Sequence, residues 1–405
     1  MDRRDIAQLR KRFKKDDCTI TRMAGCYVDL NRNKIVKLNE NFLNLPDEEF
    51  YKYLELAKKT MSGTVGNNIL EVNFASGEEG EEKQRFFMGL RASQLKNEEL
   101  LDCLYDLIID NYRSLTNYLI LVFHDFYDIM SRTSDRQKLD ESEEVYEYLL
   151  VSICPVELPK AGLGYRREEN KIGALVRDPI VSAPALGFLF PAFSQGSADV
   201  DKIDYFIKDP KDSKSDFIES VLGCTAKKTG VENRKAFAKI IREAFDEDEE
   251  KAEEALTDIQ ESFKIRCDEA EAVEEESLLS APIVLDSRII EEILKENDIP
   301  EAKSRKIQQI CEEEFADDTP VISSLVDEKA LDKSLKEREK RELVKEVAKL
   351  KTQLESSTSE GEIIVKVSDE KADEIITDLI DGKRYVMIPV DENDEIKVNG
   401  RITEW

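Results

Sequence analysis

The run Tyr118-Leu-Ile-Leu-Val-Phe-His-Asp-Phe-Tyr-Asp128 constrains the fold more than any other stretch of the chain. It is β-branched and aromatic, too short for a buried helix, and it holds the protein's one histidine, His124. It reads as a central strand. Two further apolar runs, Tyr146–Pro155 and Leu186–Phe193, read as its neighbours. Residues 203–208 are expected to close the sheet, with Asp204, Lys208 and Asp209 pointing to an edge position.

Most of the chain lies outside these runs, and there the charge matters. Of the 405 residues, 37% are charged, so some of them must form exposed helix or linker. Residues 1–245 hold 37 Lys/Arg against 41 Asp/Glu, whereas residues 246–405 hold 23 against 47. The acid is therefore concentrated in the C-terminal part. Such a surface repels nucleic-acid phosphate and acidic lipid, favours basic partners, and also keeps a protein soluble. Seven cysteines, at 18, 26, 103, 154, 224, 267 and 311, include no CxxC pair. That spacing argues for reduced thiols in the cytosol and against a disulfide framework or a structural zinc site. No cofactor is expected. The N-terminus lacks the apolar region of a secretory signal, and no run approaches the roughly 18 apolar residues that span a membrane.

Residues 2–15 place Ile6, Leu9 and Phe13 at helical spacing. Arg3, Arg4, Arg10, Lys11, Arg12, Lys14 and Lys15 fill the other faces. This predicts a basic helix that touches RNA or an acidic surface, or one that docks on the acidic remainder. A hairpin is expected from Thr19–Asp29 and Lys34–Leu38 around Leu30-Asn31-Arg32-Asn33. Pro46 opens a helix to about Met61, with Asp47, Glu48 and Glu49 at its positive end. Residues 69–75 predict a strand and 77–83 a solvated loop. Asn97 caps a helix buried through Leu100, Leu101, Leu104, Leu107 and Ile108. The polar stretch 131–145 predicts a long connection between strands.

Residues 213–275 read as helices, 268–277 as a linker, and 286–297 and 300–315 as two short helices. In 327–356, Leu343, Val347, Leu350 and Leu354 recur in a 4-3-4 spacing, which is coiled-coil-like and offers a dimer contact. The last piece reads strand, helix (EKADEIITDLI), strand (KRYVMIPV), turn and strand, with Gly382 at a helix C-cap or turn. The expected fold is α+β: a mostly antiparallel sheet core over 1–212, then a helical region with an acidic linker over 213–325. A charged coiled-coil-like helix over 326–358 and a small α/β module over 359–405 complete it.

Two constellations could carry chemistry. His124, Asp125 and Asp128 end a central strand and could hold a metal or supply a base. Alternation along a continuous strand nevertheless points 124 and 125 to opposite faces. The glycine-bearing segment 159–181 carries Arg166, Arg167 and Arg177, whose forks suit phosphate or carboxylate, or an internal ion-pair network. The chain has no GxxxxGK[ST], GxSxG or HExxH motif. Cys26 and Cys154 fall on expected strands, as core thiols rather than nucleophiles.

The segments RDIAQLRKRFKKDDCTITRMAGCYVD, FLNLPDEEFYKYLELAKKTMSGTVGNN, NYLILVFHDFYD, SEEVYEYLLVSICPVEL, GLGYRREENKIG and GFLFPAF, with the tail DGKRYVMIPVDENDEIKVNG, resemble an uncharacterised family of Firmicutes cytosolic proteins. That family is catalogued as a domain of unknown function, and the resemblance implies no activity. The basic first helix, the mixed strands and helices and the charged loop also give an architecture similar to bacterial release-factor-like proteins.

Three functions are therefore expected. The first is a non-enzymatic cytosolic interaction or regulatory protein that binds a protein partner through its acidic half and charged helices. The second is a ribosome- or RNA-associated factor using Arg10, Lys11, Arg12, Lys14 and Lys15 of the basic helix together with the arginine loop at 165–177. The third is a metal-dependent hydrolase built on His124, Asp125 and Asp128.

Overall fold

A computed structural model describes residues 3–14, 17–132, 138–167, 170–174, 177–194, 196–246, 248–274, 283–316, 318–356, 372–390, 397–398 and 401–402. The chain begins with α1 (Arg3–Arg12), β1 (Ile20–Val28), β2 (Lys34–Asn41), α2 (Asp47–Thr60), β3 (Ile69–Asn73), α3 (Glu78–Ala92) and α4 (Glu98–Asn111). The long strands β4 (Asn117–Arg132) and β5 (Lys138–Glu157) follow, then a small hairpin of β6 (Leu163–Arg166) and β7 (Lys171–Ala174). Next come β8 (Ile180–Val181), β9 (Leu186–Phe190), β10 (Ala192–Ser194), β11 (Ser197–Asp199) and β12 (Lys202–Ile207). Helices α5 (Ser215–Phe217), α6 (Gly230–Ala244), α7 (Glu249–Glu274), α8 (Ser287–Glu296), α9 (Glu301–Glu314), α10 (Ile322–Leu325) and α11 (Glu328–Ser356) follow. Two short hairpins end the chain, β13 (Ile376–Ile380) with β14 (Lys383–Met387), and β15 (Lys397–Val398) with β16 (Arg401–Ile402). The fold is α+β. Among the described residues no helix is long and apolar enough to cross a membrane.

Residues Met1–Ser334 form one compact unit. Its main sheet runs in the order β2-β1-β4-β5-β9-β12-β3, with β8 added to β5, and all of its pairings are antiparallel. Both faces are covered. One carries Ile120, Val122, Val151 and Phe188 and is packed by residues of α3 and α4 and by a π-helical turn at Ile218–Leu222. The other carries Leu121, Phe123, Leu150 and Leu189 and is packed by α1 and α2. A strand buried at both parities shows no polar alternation, which is why 118–123 is apolar throughout.

Ile6 and Leu9 of α1, with Phe13 just after it, are buried together, so the basic helix docks on the sheet. The β1–β2 hairpin, α2, β3 and the Asn97-capped α4 follow the sequence pattern, and Asn97 accepts from the Glu99 and Leu100 N–H groups. Four expectations are overturned here. Residues 77–83 are the start of α3, because Glu78, Glu79 and Glu81 lie at its positive end and Gly80 leaves room for the Ala75 carbonyl. The 131–145 connection is mostly strand, since β4 and β5 pair out to Arg132 and Lys138. Strand β12 is no edge: it lies between β9 and β3, and Asp204 is buried. The 268–277 linker begins as helix, since α7 runs to Glu274.

Beyond the sheet, α6–α10 enclose a third apolar cluster of Phe237, Ile240, Ile241, Phe263, Ile293, Ile307 and their neighbours. Their acid faces outward while one stripe of each packs, so this part of the acidic half is folded core rather than an outward-hanging segment. Two helix ends are fixed by side chains. Thr229 and Glu232 form a capping box at α6, and Asp286 accepts from the Ile289 N–H at α8.

Residues Leu335–Trp405 form a second unit. Here the expected helix over 370–380 is replaced at 376–380 by β13, which pairs with β14 around Asp381-Gly382. Both turn residues have positive φ, 51° and 76°, the backbone of a two-residue type I′ turn.

Candidate functional site

The polar residues of the central strand divide between the two faces of the sheet. Pairing of β1 with β4 shifts between Ile20 and Arg22, so Thr21 is the extra residue of a bulge. The bulge brings Thr21 Oγ1 to 2.6 Å from His124 Nδ1 and 3.2 Å from the His124 carbonyl oxygen. From β5, Glu147 Oε1 stands 2.8 Å from His124 Nε2. The imidazole is fully buried and Glu147 is partly exposed.

This network satisfies His124 in either protonation state. With a neutral ring, the Thr21 hydroxyl donates to Nδ1 and Nε2–H donates to Glu147. With a charged ring, Nδ1–H donates to Thr21, whose own proton turns to the His124 carbonyl, and Nε2–H still donates to Glu147. No heavy atom has to move. The order hydroxyl, imidazole, carboxylate is that of a nucleophilic relay. However, His124 has no exposed surface, and buried Val122 and Leu149 flank it on the same face of the sheet.

Asp125 turns to the other face, beneath α1 and α2. The Tyr148 hydroxyl donates to its Oδ2 at 2.5 Å. Burial pushes the Asp125 carboxyl above its ordinary range, and hydrogen bonds from Tyr148 and Thr19 with the nearby Arg12 charge only partly offset that. The Tyr146 and Tyr148 rings stack at 4.8 Å, and Tyr146 donates to the Pro191 carbonyl at 2.6 Å. On the same face Asp204 accepts the Phe193 N–H at 2.8 Å, and burial pushes its carboxyl up to about 7. Asp5, buried on α1, accepts the Gly196 N–H at 3.1 Å. These carboxylates tie α1 and the β9–β12 connection to the sheet.

The His124, Asp125 and Asp128 constellation is therefore not one site. His124 and Asp125 face opposite layers, as strand alternation requires, so they cannot share one metal ion. Asp128 lies four residues farther along β4, roughly 13 Å at the usual rise per residue, and its side chain falls outside the described ones. Among the described residues no group of three His, Cys, Asp or Glu side chains is placed to hold a metal ion.

The arginine segment is used internally. Arg166 donates through Nε and Nη2 to the Ala174 carbonyl at 3.0 and 2.6 Å, bracing its own hairpin. Arg177 donates to the Pro159 carbonyl at 2.9 Å, and Arg167 lies exposed in the turn after β6. The three forks thus do not converge on one anion. In α1, Lys11 is exposed, Arg10 is partly buried, and Arg12 donates to Thr19 at 3.1 Å; Lys14, just past the helix, is exposed. Lys15 lies outside the described residues.

Cys26 and Cys154 are core thiols, whereas Cys103 is exposed. Burial pushes Cys26 up to about 11 and Cys154 up to about 12, which leaves them protonated and unreactive. A cleft of about 340 Å³ opens at the C-terminal end of α2, between Thr60, Asn68, Pro184 and Phe206, with Lys59 and Lys208 at its walls. Two of its polar side chains are engaged within the fold. Thr60 bonds Ser152 at 2.6 Å and Asn68 donates to the Ile207 carbonyl at 3.0 Å.

Thr21, Glu147, Tyr148 and Asp5 were not among the residues the sequence singled out, and Asp204 was read only as a sign of an edge strand. Parity carried a signal for two of them. Glu147 shares its face with Leu149 and Val151, and Asp204 shares its face with Phe206. No curated protein matches the chain. Over residues 1–401 the chain matches the family described as Domain of unknown function (DUF4317), and it belongs to that family.

Proposed function

We propose that the chain is a non-enzymatic cytosolic interaction or regulatory protein that binds a protein partner through its acidic C-terminal half and charged helices. One observation carries this reading: the acidic half keeps a large charged surface outside its own packing. Helix α7 presents Glu249, Glu250, Glu253 and Glu254 outward, and every side chain of α11 from Lys336 to Thr352 is exposed. Within the sheet, by contrast, His124, Glu147, Asp125, Tyr148 and Asp204 are hydrogen-bonded to one another, to Thr21 or to backbone, which suits a structural role for them.

The test is affinity capture from the native host with the full chain as bait, followed by mass spectrometry. A basic partner released by salt, and lost on Glu249→Gln, Glu250→Gln, Glu253→Gln and Glu254→Gln together, is the expected result. Identical captures from the neutralised and native chains would end this reading. A ribosome- or RNA-associated role draws on α1 and the two residues after it, which bury Ile6, Leu9 and Phe13 while leaving Arg4, Lys11 and Lys14 exposed. RNA binding that weakens with salt and with Lys11→Glu plus Lys14→Glu would favour it, and no RNA binding at low salt removes it.

A further inference from the structure

Helix α11 is exposed on every side from Lys336 to Thr352, yet its surface is not uniform. Leu343, Val347 and Leu350 form one stripe, 55%, 51% and 57% exposed. Leu354 continues the spacing in sequence. A fully solvated helix of this length has no packing to hold it, and helices in proteins owe most of their stability to a buried face. We propose that this stripe is the seam of a parallel two-stranded coiled coil between two copies of this chain. The proposal deepens the interaction reading above and rests on it only in making α11 a contact surface.

Three features select this occupant. The 4-3-4 spacing sets Leu343 and Leu350 at d positions and Val347 and Leu354 at a positions. A β-branched residue at a with leucine at d favours two parallel strands over trimers or tetramers. In that register Glu346 falls at g and Lys351 at the e position of the following heptad. In a parallel pair each Glu346 therefore meets the other copy's Lys351, giving two symmetric ion pairs. An antiparallel pair in the register that sets Val347 against Leu350 and Leu343 against Leu354 would place Glu346 beside Gln353 and Lys351 beside Val344, with no ion pair formed. Finally, Lys340 occupies the preceding a position, and a polar residue there fixes register and oligomer state at some loss of stability. With the Leu343–Leu354 seam fully matched, the Glu346–Lys351 pair thus forms only when the two copies run parallel.

Sedimentation equilibrium of the full chain, from low micromolar to sub-millimolar concentration, is the test. The apparent mass is expected to rise from 46.4 kDa toward twice that value. Val347→Asp with Leu350→Asp should hold the chain at the monomer mass throughout. Both side chains are exposed in the single chain, so its circular dichroism melt over the core transition should not change. Glu346→Lys alone, or Lys351→Glu alone, should weaken the dimer by roughly threefold to tenfold, as two exposed ion pairs become repulsive. The two together should restore it.

A monomer at all concentrations overturns the proposal. So does a dimer indifferent to the seam substitutions, and double charge reversal that fails to restore association overturns the parallel register. Partner capture by the monomeric seam variant separates the two readings. If capture persists while the native chain never dimerises, the self-association is wrong and the interaction role stands. If the dimer forms and no partner is bound, the reverse holds.

Discussion

The hairpins β4–β5 and β13–β14 are both antiparallel, and both are rich in β-branched and aromatic residues. In the first, Ile120 lies opposite Ile153 and Val122 opposite Val151, and helices cover both faces until none of the four retains exposed surface. In the second, Ile376 lies opposite Met387 and Thr377 opposite Val386, and every residue of both strands is exposed. Backbone pairing is the same in kind; what differs is the apolar area withdrawn from water. An uncovered two-stranded hairpin is marginal in water, whereas burying one large apolar side chain contributes roughly 1.5–3 kcal/mol. Stability in this molecule therefore follows coverage rather than strand pairing.

The largest effect should come from the covered sheet. Phe188 is buried on the α3 face with its ring 5.5 Å from Phe87. Phe188→Ala is expected to cost about 3–5 kcal/mol in urea unfolding, as the transfer and cavity costs add. Val386→Ala on β14 should leave the same transition within about 0.5 kcal/mol. Equal costs for the two would break the comparison.

A second effect comes from the acid buried under that coverage. Burial raises Asp204 from an ordinary carboxylate value of 3.8 to about 7. Between those values the folded chain holds a proton that the unfolded chain has released. The Asp204 contribution is thus fully present below about pH 4, falls as pH rises toward 7, and is flat above it. Asp204→Asn keeps an acceptor for the Phe193 N–H and removes the titration. The native-minus-variant stability difference should therefore decline by a few kcal/mol, on the order of 1.4 per pH unit, across that window. A difference that rises with pH would show that Asp204 is ionised in the folded chain.

Smaller again is the bulge. Thr21→Val keeps shape but removes the hydroxyl that serves His124, and should cost about 1–3 kcal/mol. Adding His124→Phe should cost less than the sum of the two single substitutions, because each removes the other's orphaned group. Strict additivity would mean that Thr21 and His124 do not share a hydrogen bond.

How much of this could be read beforehand depended on whether the signal was local. Residues 118–123 announced a central strand because coverage on both faces leaves no polar position. The starts of α2 and α4 were marked by Pro46 and Asn97, and the opposed faces of His124 and Asp125 followed from alternation alone. The misses had distant causes. Gly77 and Gly80 look like breakers, yet Gly80 is needed because a side chain there would strike the Ala75 carbonyl oxygen. Asp204 looked like an edge signal because its partner, the Phe193 N–H, is eleven residues away on another strand. Polar residues 138–145 looked like loop because only the pairing with β4 makes them strand. Thr21 could not be foreseen as a partner of His124, since a bulge is a property of two strands rather than one. At the C-terminus the error was local: the apolar spacing of 370–380 fits a helix, but Asp381-Gly382 is a strong hairpin signal.

That turn supplies the smallest and most selective test. Asp381 tolerates a positive φ, and Gly382 adopts one without cost, at 76°. Gly382→Ala places a Cβ in the left-handed region and should cost the hairpin about 1–2 kcal/mol. For an uncovered β13–β14 this is enough to unpair it, because no buried area resists the loss. Cross-strand nuclear Overhauser contacts between Ile376 and Met387 should then disappear, while the urea midpoint of the sheet core stays where it was. If the contacts survive, the hairpin is held by something beyond its own turn and pairing. In that case its exposed apolar residues are covered in solution, and the contrast with β4–β5 is one of what covers each hairpin rather than whether it is covered.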